Sequence, residues 1–258
     1  MSQSPPLTYG RYLKVPELLA LQNCISNPPH HDETLFILIH QVYELWFKQV
    51  LHETDSAIRH LDADRVGEAT RLLRRVVEIQ RVLIAQIKIL ETMRPQDFLG
   101  FRYNLNPASG FQSVQFRELE FLLGMKNPDI LQHLRSEPDE KARLQARLAG
   151  RSLPDAFFAL LQRRLGPATG TEWRVPALAR LYEKEEHPDL LALGEVLMDI
   201  DESLTLWRAH HVQMVERMIG AKRGTGGSEG VAYLQATLPR RAFPELWQAR
   251  THLGQEPA

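Results

Sequence analysis

One cysteine, Cys24, occurs in 258 residues. A single thiol excludes an internal disulfide framework, a Cys-rich zinc site and a Cys-ligated iron–sulfur cluster, and it points to a reducing cytoplasm. Excess charge is lacking too. Against 31 Lys and Arg stand 32 Asp and Glu, a net charge of −1, which offers no electrostatic case for a nucleic-acid or anionic-membrane partner. No apolar run reaches the ~20 residues that a membrane span requires. The opening "MSQSPPLTYGRYLKV" has no apolar signal-peptide core. Strand signals are too sparse for a sheet, and neither a βαβ unit, an internal repeat nor a low-complexity tract is present. Glu-x-x-His does not occur, which removes the usual carboxylate-bridged di-iron bundle. His-Glu-x-x-His does not occur either, so a zincin is excluded.

What is there is helical periodicity. Apolar residues at 43% and charged residues at 24% are ordinary for a globular chain of a length that buries a large core. Asp32 is placed to cap a helix running to about His60. A second helix, from about Asp64 to Met93, puts Ala69, Leu72, Leu73, Val76, Leu83, Ile87 and Leu90 on one face. "RPQDFLGFRYNLNPASGFQS" interrupts the pattern around a short helical turn, and a helix follows from about Ser113 to Leu123. Residues 128–188 read as shorter charged helices of a peripheral insert, with the last ended by His187-Pro188. The longest helix runs from about Asp189 to Ile219. Its stripe of Leu190, Leu193, Leu197, Ile200, Leu204, Trp207, His211, Met214 and Met218 alternates steps of three and four. The tail beyond Tyr233 is short and less regular. The expected class is all-α, one domain over residues 1–258: a bundle of long antiparallel helices.

Two histidines sit within apolar stripes of different long helices. His40 is in register with Phe36 and Tyr43; His211 lies between Trp207 and Met214, while His210 points about 100° away. A stripe histidine by itself is ordinarily a core residue with a satisfied hydrogen bond. A pair on two long helices is the arrangement a helical haem pocket needs, one imidazole as axial ligand and another over the open face. "HHDE" at His30–Glu33 is explained by helix capping and dipole compensation. "GGSEG", Gly226–Gly230, matches a nucleophile elbow in letters only, because that motif needs a strand-to-helix turn. The same glycine-rich loop either stops the preceding helix or brings backbone groups and the Thr225 hydroxyl to a small ligand. Arg102 is either a surface arginine or a two-pronged carboxylate clamp.

Five segments carry a resemblance: "LTYGRYLKVPELLALQ", "HHDETLFILIHQVYELWFKQ", "LGFRYNLNPASGFQSVQFRELE", "WRAHHVQMVERMIGAKRGTGGSEGVAYLQATL" and "FPELWQART". Together, in order from Leu7 to about Thr251, they resemble the haem-dependent tryptophan 2,3-dioxygenase family. The resemblance implies an all-helical homotetramer, a dimer of dimers, with ferrous haem b in each subunit's pocket. It implies cleavage of the indole C2–C3 bond of L-tryptophan by O2 to N-formyl-L-kynurenine, the first step of the kynurenine pathway. By motif, His211 is similar to the axial haem ligand, with Trp207 and Ser109 beside the cofactor. His40 resembles the distal histidine that meets the indole N–H, and Phe36 lines the pocket. Arg102 and Thr225 resemble the groups that hold the carboxylate and ammonium end, and Phe98, Ser109 and Gly110 complete the substrate wall. Tyr9, Tyr12 and Leu13 resemble an N-terminal arm (about residues 1–20) that enters a neighbouring subunit's site. Two positions depart from the family pattern: Glu229 stands where serine is usual, and Phe98 where some relatives have tyrosine. The rival readings are a related haem enzyme that oxygenates another indole, and a non-enzymatic helical scaffold.

Overall fold

The computed structural model describes residues 6–134, 137–225 and 230–254, which form α-helices joined by turns, with two 3-10 turns and no strand among them. In chain order the helices are α1 (Tyr9–Leu13), α2 (Val15–Leu19), α3 (His31–Asp62), α4 (Val66–Leu90), α5 (Pro95–Arg102), α6 (Val114–Leu122), α7 (Ile130–His133), α8 (Pro138–Ala149), α9 (Leu153–Leu165), α10 (Arg174–Lys184), α11 (Pro188–Ile219), α12 (Val231–Gln235) and α13 (Pro244–Thr251). The three long helices α3, α4 and α11 form the frame, with α4 packed along both others. The connection Ala63-Asp64-Arg65 is too short to cross the bundle, so α3 and α4 run antiparallel. Gln80 on α4 donates to the Ile200 carbonyl of α11 over 3.1 Å, tying the second pair.

The expected stripe of α4 is buried at every position from Ala69 to Leu90. On α11, Leu190, Leu193, Leu197 and Ile200 join the main apolar core with α3 and α4, whereas Met214 and Met218 join a second cluster with Ile87, Leu90, Met93 and Phe101. Each such leucine contributes roughly 1.5–3 kcal/mol by leaving water. Trp207 packs against both clusters. Its position at their junction locates the cavity described below.

Several expectations need correction. The N-cap of α3 is His30, not Asp32: the His30 ring accepts from the Asp32 amide at 3.3 Å. The neighbouring acid Glu33 is instead buried, accepting the amides of Ile25 (2.7 Å) and Ser26 (3.1 Å) and fastening the segment before the helix. The interruption at residues 95–112 holds a full eight-residue helix, α5, and both 3-10 turns, because Pro95 is pre-organised for the first helical turn. The insert at residues 128–188 is not peripheral throughout: Leu153, Ala156, Phe157, Phe158, Leu160 and Leu161 of α9 are core residues, as are Leu178 and Leu181 of α10. Their apolar faces are as regular as those of the long helices, but the exposed charges between them dominate a reading by composition. The tail is anchored as well. Asp201, fully buried on α11, accepts from the amides of Ala242 (2.8 Å) and Phe243 (3.2 Å) and from Trp247 Nε1 (2.9 Å). Three donors compensate the desolvation of its carboxylate.

Candidate active site

α3, α4, α5, α6, α11 and α12 surround a cavity of about 310 Å³ whose wall is mostly carbon. Its residues include Phe36, His40, Phe98, Arg102, Ser109, Gly110, Trp207, His211 and Thr225. They come from four separate stretches of chain, and the packing of α3 and α11 against α4 draws them together.

The ring of His40 is open to the cavity. Enclosure by the surrounding walls still removes it from bulk water, and that desolvation pushes its pKa down, against the opposing effects of the Phe36 carbonyl and Glu44. Nδ1 lies 2.7 Å from the Phe36 carbonyl oxygen. A carbonyl can only accept, so Nδ1 carries the proton and Nε2 keeps the lone pair of a neutral imidazole. Phe36 packs on the ring at 4.1 Å between centroids, and Phe98 stacks on Phe36 at 5.6 Å.

The pKa of His211 is also pushed down, to about 4, first by burial and then by the charge that His40 would carry. It is therefore a neutral imidazole with a lone pair, the form in which histidine binds a metal. One turn earlier on α11, Trp207 stacks on it with the rings 5.2 Å apart and 3° from parallel. Phe116 (5.1 Å) and Tyr43 (6.2 Å) pack on Trp207 in turn, which holds both rings in one orientation. His210 is not on the cavity wall.

Arg102 is buried, so the surface alternative is excluded, and its guanidinium donates to the Arg223 carbonyl. The Thr225 hydroxyl donates to the Ala108 carbonyl at 2.6 Å. These two bonds pin the segment after α11 to the segment between α5 and α6. Ser109 caps the 3-10 turn Gly110–Gln112: its Oγ accepts from the Phe111 amide and its amide donates to Gln112 Oε1, both at 3.3 Å. A Cβ built on Gly110 would meet no atom within 4 Å, so the backbone there borders open space.

A family model described as tryptophan 2,3-dioxygenase matches residues 1–163 and 163–253. Proteins named tryptophan 2,3-dioxygenase are similar to the chain over nearly its whole length. That of Nocardioides sp. (strain ATCC BAA-499 / JS614) is 52% identical over 97% of this chain and 96% of its own. That of Herpetosiphon aurantiacus is 46% identical over 98% and 100%, and that of Xanthomonas oryzae pv. oryzae 43% over 96% and 88%. The chain belongs to the tryptophan 2,3-dioxygenase family.

For a tryptophan 2,3-dioxygenase, the cavity has a feature that motif reading missed. Arg117 and Arg208 both bind Glu120, at 2.6 Å and 2.9 Å, and all three are buried on the wall. Arg117 also lies over the rings of Phe111 (4.6 Å) and Phe116 (5.4 Å). With Arg102 the wall carries three arginines against two glutamates, Glu44 and Glu120, so the cavity favours an anionic occupant. The available signal was the pair of opposite charges three apart in "FRELEFLL", Arg117 and Glu120, set among Phe116, Leu119, Phe121 and Leu122. Tyr9, Tyr12 and Leu13 are not on this subunit's cavity wall; they are 78%, 71% and 44% exposed on α1. Glu229 lies outside the described residues.

The site fits a haem. A carbon-lined cleft, a neutral imidazole held by a stacked indole and buried arginines on the wall are what a flat apolar macrocycle with two carboxylates needs.

Proposed function

We propose that this chain uses haem b to cleave the indole C2–C3 bond of L-tryptophan, both atoms of O2 entering N-formyl-L-kynurenine. The observation that carries the reading is the presence, on one carbon-lined cavity wall, of two neutral imidazoles from different helices together with a buried arginine. His211 would hold the haem iron, with Trp207 and Ser109 beside the cofactor. When bound, ferrous haem supplies the activation of dioxygen that amino-acid side chains lack. The protein's own part is placement. The Nε2 lone pair of His40 accepts the indole N–H, and Phe36 and Phe98 flank the ring. Arg102 binds the carboxylate through donors that the Arg223 carbonyl leaves free, and Thr225 meets the ammonium end, with Ser109 and Gly110 forming the adjoining wall. Carbon walls exclude water from the reacting atoms. In the cytoplasm, this reaction opens tryptophan catabolism by the kynurenine pathway.

The direct test is to add haem to the protein, reduce it, supply L-tryptophan and O2, and follow N-formylkynurenine absorbance. Formation of that product from L-tryptophan supports the reading. A protein that stays colourless with haem supports the scaffold reading instead, and a haem protein turning over only another indole supports the related-enzyme one.

His40 is assigned an orienting role. Indole N–H is a very weak acid, and an imidazole of ordinary pKa near ~6.5 (lower still in this site) is a poor base for it. His40→Ala and His40→Ser are expected to keep haem and lose about 2- to 13-fold in kcat/KM, the effect of one neutral hydrogen bond. A general base would be worth about 10²- to 10⁴-fold. Losses beyond a thousandfold in kcat, with 1-methyltryptophan inert only in the parent, would restore base catalysis.

The assembly proposed is a homotetramer, a dimer of dimers, in which Tyr9, Tyr12 and Leu13 complete a neighbouring subunit's pocket. Three large apolar side chains left in solvent on α1 support it. Deleting residues 1–15 is expected to impair turnover while haem stays bound. Mixing that truncation with full-length His211→Ala should restore part of the activity, since a haem-bearing pocket then receives an intact arm. Verified mixed oligomers without complementation would rule out a shared site.

A further inference from the structure

Behind Trp207, on the side of the main core, lies a second chamber of about 40 Å³. Val50, Val76, Leu83, Leu119, Ile200 and Leu204 supply most of its wall, while Phe47, Phe116, Glu120 and Trp207 border both it and the large cavity. These four residues are therefore the partition between the two spaces. The volume exceeds the ~10–15 Å³ that one water-sized particle needs.

Water is the first candidate to fill it, because Gln80 Oε1 and Trp207 Nε1 on lining residues are buried with no hydrogen-bond partner. Neither atom, however, has as much as 1 Å² of accessible surface, so neither presents itself to the chamber. Glu120 is already held by its two arginines, which leaves the Thr54 hydroxyl as the one further polar group on the lining residues. The exposed wall is almost entirely carbon. A water molecule needs two to four polar partners to remain in such a space, and chambers lined by Leu, Val and Phe stay dry and take up apolar atoms.

We propose that this chamber is a docking site for an apolar diatomic gas, and that its physiological ligand is dioxygen held next to the haem cavity. The choice of dioxygen rests on the haem-dioxygenase reading; the affinity for small apolar particles does not. Displacement of the Phe47 or Phe116 ring opens the partition, since these two side chains and Trp207 are all that stands between the spaces beside the Glu120 carboxylate. The chamber raises the local supply of a sparingly soluble co-substrate without offering the two to four polar partners that would hold a water molecule in its place.

Xenon is the probe. Crystals of the haem-loaded protein under xenon pressure are expected to show one xenon atom among Val76, Leu83, Ile200 and Leu204. Xenon in solution should also alter the geminate phase of CO recombination after flash photolysis of the ferrous protein by at least twofold. Filling the chamber with Val76→Leu or Val76→Phe should abolish the xenon peak and reproduce the kinetic change without xenon. Ordered waters in the chamber, no xenon peak in the parent protein, or xenon bound with unaltered recombination would each overturn the proposal. A protein that takes up no haem yet binds xenon there would instead defeat the assigned reaction, so the two failures are distinguishable.

Discussion

His211→Ala is expected to lose stable haem binding, whereas His210→Ala keeps a near-normal Soret band. His211 lies on the cavity wall, neutral and stacked on Trp207; its neighbour projects about 100° away on the same helix and has no place on that wall. Truncation removes the imidazole that would hold the haem iron, so the loss should exceed the ~10–100-fold that follows from disturbing only a ligand's outer partners. The fold should survive, because the ring borders a cavity instead of filling close-packed core, and far-UV circular dichroism will report that. Haem titration followed at the Soret maximum is the measurement. A His210→Ala protein that loses haem while His211→Ala retains it would move the ligand by one residue.

Arg102→Leu is expected to keep haem and raise the KM for L-tryptophan about 10- to 150-fold. A charge-assisted hydrogen bond is worth roughly 1.5–3 kcal/mol, which converts to that range. Part of the effect will come through the loop. The same guanidinium holds the Arg223 carbonyl, and its loss frees the segment that carries Thr225. Arg102→Lys separates the two contributions, since an ammonium keeps the charge but not the fork. Tryptamine, which has no carboxylate, gives the complementary result: it should be a poor substrate of the parent protein and should lose little further on Arg102→Leu. Equal turnover of tryptamine and L-tryptophan by the parent would remove the clamp.

Much of the frame was legible because long helices declare their buried faces through spacing. The α4 stripe and the α11 stripe through Ile200 are buried as their periodicity predicts. Residues 128–188 were harder. Leu153, Phe157 and Leu161 repeat every four residues, but short helices rich in Arg and Glu look solvated until their partners are known. The cap at His30 is not legible beside Asp32, two residues on, because ring nitrogens cap helices less often than carboxylates do.

By itself the sequence determined the all-α class, the three long helices, the exclusion of a Cys-rich zinc site or Cys-ligated iron–sulfur cluster within one chain and the placing of two histidines in apolar stripes. Those features depend on local periodicity and on which residue types are absent. Only the tertiary structure decided that His40 opens into a cavity, that Arg102 is buried, and that Arg117, Glu120 and Arg208 form one charged cluster. Periodicity tells which face of a helix avoids water; it does not tell whether that face meets another side chain or a space. That distinction depends on how closely α3, α6 and α11 approach, and the cavity they leave is lined by residues as far apart in the chain as Phe36 and Thr225.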